Sequence, residues 1–207
     1  MKRKILSLLL IPISCAALAI SCDSSGGGDR GRSNLMYLLI ADSSANASVT
    51  SIYVDGPTVY TGGSYNDGFR NIPCYWTGAA RTALPVEKWN QQARVTSIFV
   101  SGGTVYAGGG YYDGTVWVPC YWTDAGAGAV KTDLAGDGIH DAFLNAIFVD
   151  GTDVYAAGHW FDGYRWVACN WTGAVKTDLP ITGALSAYAQ SIWVDGGTVY
   201  TGGQYRY

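Results

Sequence analysis

The stretch Ser97-Ile98-Phe99-Val100-Ser101-Gly102, which runs on to Val105-Tyr106 and then Gly108-Gly109, decides how this chain is built, because the chain repeats it. The same pattern returns as Ser51-Ile52-Tyr53-Val54-Asp55-Gly56, Ala146-Ile147-Phe148-Val149-Asp150-Gly151 and Ser191-Ile192-Trp193-Val194-Asp195-Gly196, at offsets of 46, 49 and 45. Each copy continues with a Val-Tyr pair and then a pair of small residues: Gly62-Gly63, Gly108-Gly109, Ala157-Gly158 and Gly202-Gly203. The first three copies go on to Cys74-Tyr75-Trp76-Thr77, Cys120-Tyr121-Trp122-Thr123 and Cys169-Asn170-Trp171-Thr172, and end in Arg81-Thr82, Lys131-Thr132 or Lys176-Thr177. Self-similarity at a fixed spacing is the mark of a repeat architecture.

Within one unit, four short β-branched or aromatic runs are separated by turn dipeptides, each run too short for a helix. In the third copy they are Ala146 to Val149, Val154 to Ala157, Arg165 to Trp171 and Ala174 to Asp178, joined through Asp150-Gly151, Asp162-Gly163 and Thr172-Gly173. Such dipeptides supply the positive φ of tight hairpins, so the unit reads as a four-stranded antiparallel meander. Val167, Cys169 and Trp171 point to one face of it and Ala168 and Asn170 to the other. A sheet that wants burial on both faces has to be sandwiched between neighbours, and radial repetition of such sheets is a β-propeller. The expected fold is all-β, with four blades on a period near 46. The fourth blade has two strands, Ser191 to Tyr207, and the run Leu35 to Ala41 is expected to close it as an N-terminal strand. The alternative is an open or truncated array.

Composition agrees. The 207 residues include 28 Gly, 15 Tyr and 8 Trp, and of the sixteen acids only Glu87 is not Asp, which favours turns over helices. Thirteen Lys and Arg face these sixteen acids, and three of the thirteen are Lys2, Arg3 and Lys4. The remainder is acidic, which argues against a nucleic-acid partner.

Met1 to Cys22 combines a cationic start, an apolar run from Ile5 to Ile20 and small residues before the cysteine, the layout of an export signal. Leu18-Ala19-Ile20-Ser21-Cys22 resembles a bacterial lipobox. That resemblance implies cleavage after residue 21, acylation of Cys22 and a membrane-anchored lipoprotein on the periplasmic face or cell surface. Residues 22–33 then form a Gly/Ser-rich tether and 34–207 the repeat domain. The Ile-x-Val-x-Gly-x-x-Val-Tyr-x-Gly-Gly pattern followed by Cys-x-Trp-Thr resembles the kelch-like propeller repeats of bacterial surface lipoproteins. This resemblance implies the fold and leaves the function open.

The positions that break the repeat carry the functional expectation. Loops between the second and third strands and loops between blades are expected on one rim. There the candidate ligand face comprises Trp89, Tyr111, Tyr112, Trp117, His140, Trp160, Phe161, Tyr164 and Trp166, with Tyr188 beside them. Aromatic rings among amides suit a glycan or protein ligand, so the expected function is a non-enzymatic binding module without a cofactor or metal. A propeller-type hydrolase or lyase using His140 and Asp141 is the alternative enzyme reading, and a structural repeat protein without activity is the third. Asp67, Asp113, Asp162 and Asp195 each precede glycine and read as turn residues rather than calcium ligands. Cys74, Cys120 and Cys169, one per blade, read as buried thiols, being too far apart for disulfides.

Overall fold

The computed structural model describes residues 18–20, 37–39, 46–88, 91–180 and 182–207. All regular structure among them is β. Two short strands, β1 (Leu18–Ile20) and β2 (Tyr37–Leu39), are followed by four sheets. The first holds β3 (Ala47–Asp55), β4 (Thr58–Asn66), β5 (Asn71–Thr77) and β6 (Ala80–Ala83). The second holds β7 (Ala93–Ser101), β8 (Thr104–Tyr112), β9 (Trp117–Asp124) and β10 (Val130–Asp133). The third holds β11 (Ala142–Asp150), β12 (Asp153–Phe161), β13 (Trp166–Thr172) and β14 (Val175–Asp178). The fourth is the hairpin β15 (Ser186–Asp195) and β16 (Thr198–Arg206). Within each sheet the strands pair antiparallel in chain order, so the repeat unit is a meander. Where the sequence puts Gly102-Gly103 between Ser101 and Thr104, both glycines have positive φ, 55° and 78°, as a two-residue hairpin of the primed type requires.

The first strand of each unit is longer than its apolar pattern suggests: β11 begins at Ala142, not Ala146. A β-bulge is the reason. Register slips between Val49 and Ser51, Val95 and Ser97, Leu144 and Ala146, and Ala189 and Ser191, leaving Thr50, Thr96, Asn145 and Gln190 as inserted residues. An inserted residue breaks the period of two, so the alternation upstream runs out of phase with the rest of the strand.

The inserted side chains reach the next sheet. Thr50 Oγ1 donates to Val95 O at 2.7 Å, Thr96 Oγ1 to Leu144 O at 2.7 Å, and Asn145 Nδ2 to Ala189 O at 2.7 Å. Between these bonds lies the core. Val95 and Ile98 of the second sheet seat against Gly62 of the first, and Leu144 and Ile147 of the third against Gly108 of the second. Cys169 and Trp171 are buried with Leu134, Leu144 and Ala156, whereas Ala168, on the opposite face, is buried with Ala187 and Ala189 of the fourth sheet. The loops between sheets lid the large indoles: Trp122 Nε1 donates to Pro85 O and Trp171 Nε1 to Ala135 O, both at 2.8 Å. Cys74, Cys120 and Cys169 are fully buried and no disulfide joins them.

One expectation is overturned. Tyr37–Leu39 pairs with Leu18–Ile20, not with the fourth sheet, which among the described residues is a two-stranded hairpin, so the described part of the run Leu35 to Ala41 does not close the last blade. In the uncleaved chain Leu18, Ala19 and Ile20 provide a β-forming apolar segment of equal length as the partner, a segment that cleavage before Cys22 would remove.

Candidate functional site

Both classes of variable loop reach the same rim, as the meander requires. The backbone ties them together there: Tyr112 N donates to Gln92 O at 2.8 Å and Phe161 N to Asp141 O at 2.9 Å. Within the hairpins Asp67, Asp113 and Asp162 each cap their own loop, accepting from amides two and three residues on. These bonds hold all three carboxyls below the usual carboxylate range and explain the Asp-Gly pairs as turn chemistry.

On this rim a continuous row of rings crosses the second, third and fourth sheets. Tyr112, at the end of β8, lies 6.1 Å from Trp117, at the start of β9, and Trp117 lies 6.0 Å from Phe143 on β11. Phe143 stands 5.8 Å from Trp166 and 5.4 Å from His159, and His159 stands 4.9 Å from Tyr188 on β15. Phe161 flanks Trp166 at 5.3 Å. The Arg94 guanidinium lies 4.7 Å above the Trp117 ring and 5.4 Å from Phe143, and that of Arg206 lies 5.5 Å over Tyr188. Centroid separations near 5 to 6 Å with tilted planes are the favourable arrangement for aromatic pairs. All of these rings keep some surface open to solvent.

The row has a polar anchor. Asn145, the bulge residue of the third sheet, places its amide nitrogen 3.1 Å from His159 Nδ1 while also donating to Ala189 O. An amide nitrogen only donates, so Nδ1 accepts and the proton of the neutral imidazole sits on Nε2. Burial, and secondarily the Arg94 charge, lower the His159 pKa to about 4, so the ring is neutral at ordinary pH. Asp141 Oδ1 accepts from Trp117 N at 2.7 Å and sets the start of β9. Beside Trp117 a cleft of about 160 Å³ opens between β9 and the loop carrying Gly136, Gly138 and His140.

Of the expected ligand face, Tyr112, Trp117, Phe161 and Trp166 meet in this row, and His140 stands at its margin, 5.8 Å from Phe161. Tyr111 and Trp160 do not belong to it. They precede Tyr112 and Phe161 in sequence, and neighbours on a strand point to opposite faces. Each caps a cation on the outer strand instead: Lys131 lies 3.8 Å from the Tyr111 ring and Lys176 3.2 Å from the Trp160 ring, with Asp133 and Asp178 closing the groups. Arg81 over Tyr65, at 3.7 Å, occupies the same repeat position, so these groups are part of the unit's construction. Tyr164 stands at a hairpin tip, 94% exposed. Trp89 and Cys22 lie outside the described residues. The pair His140 and Asp141 is not assembled: His140 Nδ1 sits 2.6 Å from Asp137 Oδ2 and Asp141 is engaged by Trp117.

Arg94, Phe143 and His159 were not in the ligand face expected from sequence. A signal existed: Ser48, Arg94, Phe143 and Tyr188 occupy one repeat position, as do Asn71, Trp117 and Trp166. Both positions change from small or polar in the first sheet to aromatic or cationic beyond it.

No protein-family model and no curated protein matches this chain.

Proposed function

We propose that the chain is an exported, lipid-anchored, propeller-like binding module, and that the aromatic row on the loop rim of its second to fourth sheets binds carbohydrate. The repeat period and the stacking of successive meanders support the propeller-like reading, and the kelch-like and lipobox resemblances support a bacterial surface lipoprotein held by acylated Cys22. The observation that carries the ligand is the run Tyr112, Trp117, Phe143, Trp166 and Tyr188, partly open rings edged by Arg94 and the imidazole of His159. Flat rings accept the apolar C–H faces of sugars, and neighbouring donors take their hydroxyls. The row falls at positions that the repeat does not need for packing, whereas Tyr111 and Trp160 serve the repeat itself.

A glycan array probed with the labelled full chain tests this. A bound glycan whose affinity drops at least about tenfold in Trp166→Ala and stays unchanged in Tyr164→Ala supports the reading. Absence of any glycan signal, with a protein recovered on the same face instead, replaces it by a protein-binding module. Palmitate labelling lost in Cys22→Ser supports the anchor, and label kept in that variant refutes it.

A further inference from the structure

The first two internal interfaces are built alike, the third replaces their serine and glycine by Ala146 and Ala157, and the two halves of the interface recur exposed on the first and fourth sheets. In the second and third sheets the forward-facing residues of the first strand, Val95, Ile98 and Val100, then Leu144, Ile147 and Val149, are 0% to 5% exposed because the preceding sheet covers them. Their equivalents on β3, Val49, Ile52 and Val54, are 44%, 61% and 60% exposed. At the other end, the rear face of the fourth sheet carries Gln190, Ser191, Trp193 and Gly202, all exposed.

The rear face repeats the receiving half of the internal interfaces. Ser51 Oγ accepts from Ile98 N and Ser97 Oγ from Ile147 N, each at 3.1 Å, and Ser191 holds that position in the fourth sheet. Gly62 receives Val95, and Gly202 is again glycine where Val49 is again valine. The inserted residues hand a hydrogen bond from sheet to sheet, Thr50 to Val95 O, Thr96 to Leu144 O and Asn145 to Ala189 O, which leaves Gln190 as the next donor and Val49 O as the matching acceptor. The rings of Tyr53, Phe99, Phe148 and Trp193 form a ladder at 4.8, 5.0 and 4.7 Å, and 61% of Trp193 is exposed.

We infer that the occupant of both faces is a second copy of this chain, docked head to tail, with Val49, Ile52 and Val54 of one copy seated on Ser191, Trp193 and Gly202 of the other. The contact is heterologous, so it closes into a ring when its rotation allows and otherwise extends. It continues a bulge hydrogen bond and a ring ladder that the chain makes at all three junctions and a Ser/Gly seat that it makes at the first two, which is why a second copy fits better than an unrelated partner.

The test is sedimentation velocity of the purified full chain in mild detergent, over a concentration series, with three samples. Wild type is expected to associate as concentration rises. Ile52→Asp and Ser191→Arg, both at exposed positions, are each expected to remain monomeric while melting as wild type does. Mixed in equal amounts they are expected to form a one-to-one complex, because one retains an intact rear face and the other an intact front. Should either variant fail to fold, Val54→Asp or Trp193→Asp replaces it. A monomeric wild type, a monomeric mixture, or self-association that survives in Ser191→Arg overturns the proposal; the last would mean front-to-front pairing or shared micelles.

Discussion

Gly62 and Gly63 look interchangeable in sequence and differ in what they touch, which makes Gly62 the most informative residue to change. A methyl group there would sit 2.8 Å from Val95 Cγ1 and 3.2 Å from Ile98 Cβ, both side-chain atoms of the next sheet. Overpacking of this kind costs ~1–3 kcal/mol. Replacing glycine by alanine in a strand returns ~0.5–1 kcal/mol. Gly62→Ala should therefore lose about 1 kcal/mol. Val95→Ala removes two methyls from a fully buried side chain and should lose about 2 kcal/mol. If the losses simply add, the double variant loses about 3 kcal/mol, or ~6–12 °C in melting temperature for a chain of this size. The new methyl instead occupies the space that valine vacates, so the double variant should lose only about 1 kcal/mol, a coupling of about 2 kcal/mol. Gly63→Ala provides the contrast: its methyl would run into the backbone carbonyl of Ser48 at the bulge, and trimming Val95 cannot relieve that. Urea unfolding of the four variants of the Gly62/Val95 cycle, followed by circular dichroism, measures the coupling. Additivity within about 0.5 kcal/mol, or rescue of Gly63→Ala by Val95→Ala, would refute the assignment of these glycines.

Three more outcomes are expected. His159 is driven from an ordinary 6.5 to about 4, so the folded chain holds this proton less tightly than the unfolded one. Melting temperature should fall as pH drops from about 6.5 toward about 4, and His159→Gln should flatten that slope, whereas a slope kept in the variant assigns it elsewhere. Asp137 works in a lower window: burial alone would raise its carboxyl, but hydrogen bonds from His140 and Ile139 bring it to about 2, so its contribution is lost only as pH falls from 3.8 toward 2. Asp137→Ala should leave the slope above pH 5 unchanged in the same melts. Burial pushes the Cys169 thiol up to about 12 and Cys120 well above its ordinary value, so neither should react with a thiol reagent at pH 8 until denaturant is added; labelling of either in the native chain, read by mass spectrometry, would contradict that burial.

The meander, its strand count and the sandwiching of both faces were legible because apolar alternation, Asp-Gly turns and the repeat itself say the same thing at three levels. Val167, Cys169 and Trp171 were placed on one face and Ala168 on the other from alternation alone, and the burial of Cys169 and Trp171 in one cluster and of Ala168 in another agrees. The bulges were not legible. Thr50, Thr96, Asn145 and Gln190 look like ordinary strand residues, and only pairing with the second strand shows them to be supernumerary. That hidden shift also concealed Arg94 and Phe143, which lie upstream of the bulge where the alternation has changed phase. The partner of Tyr37–Leu39 was misjudged for a different reason: edge pairing depends on which strand is near in space, and composition does not record that.

The small-residue pair also says something about how such an array grows. In the first and second sheets glycine receives a branched residue of the next sheet, Val95 or Leu144, whereas in the third Ala157 is buried with Ala189. The receiving strand has gained one methyl where the incoming strand has lost two or three side-chain carbons. A duplicated second unit could be inserted behind itself, since Gly108 would meet another Val95. A duplicated third unit could not, since Ala157 would meet Leu144, and a methyl at Gly108 already comes within 2.8 Å of that side chain. The units are thus alike in fold but not exchangeable in order, and recombination between them is constrained at a seam one carbon wide.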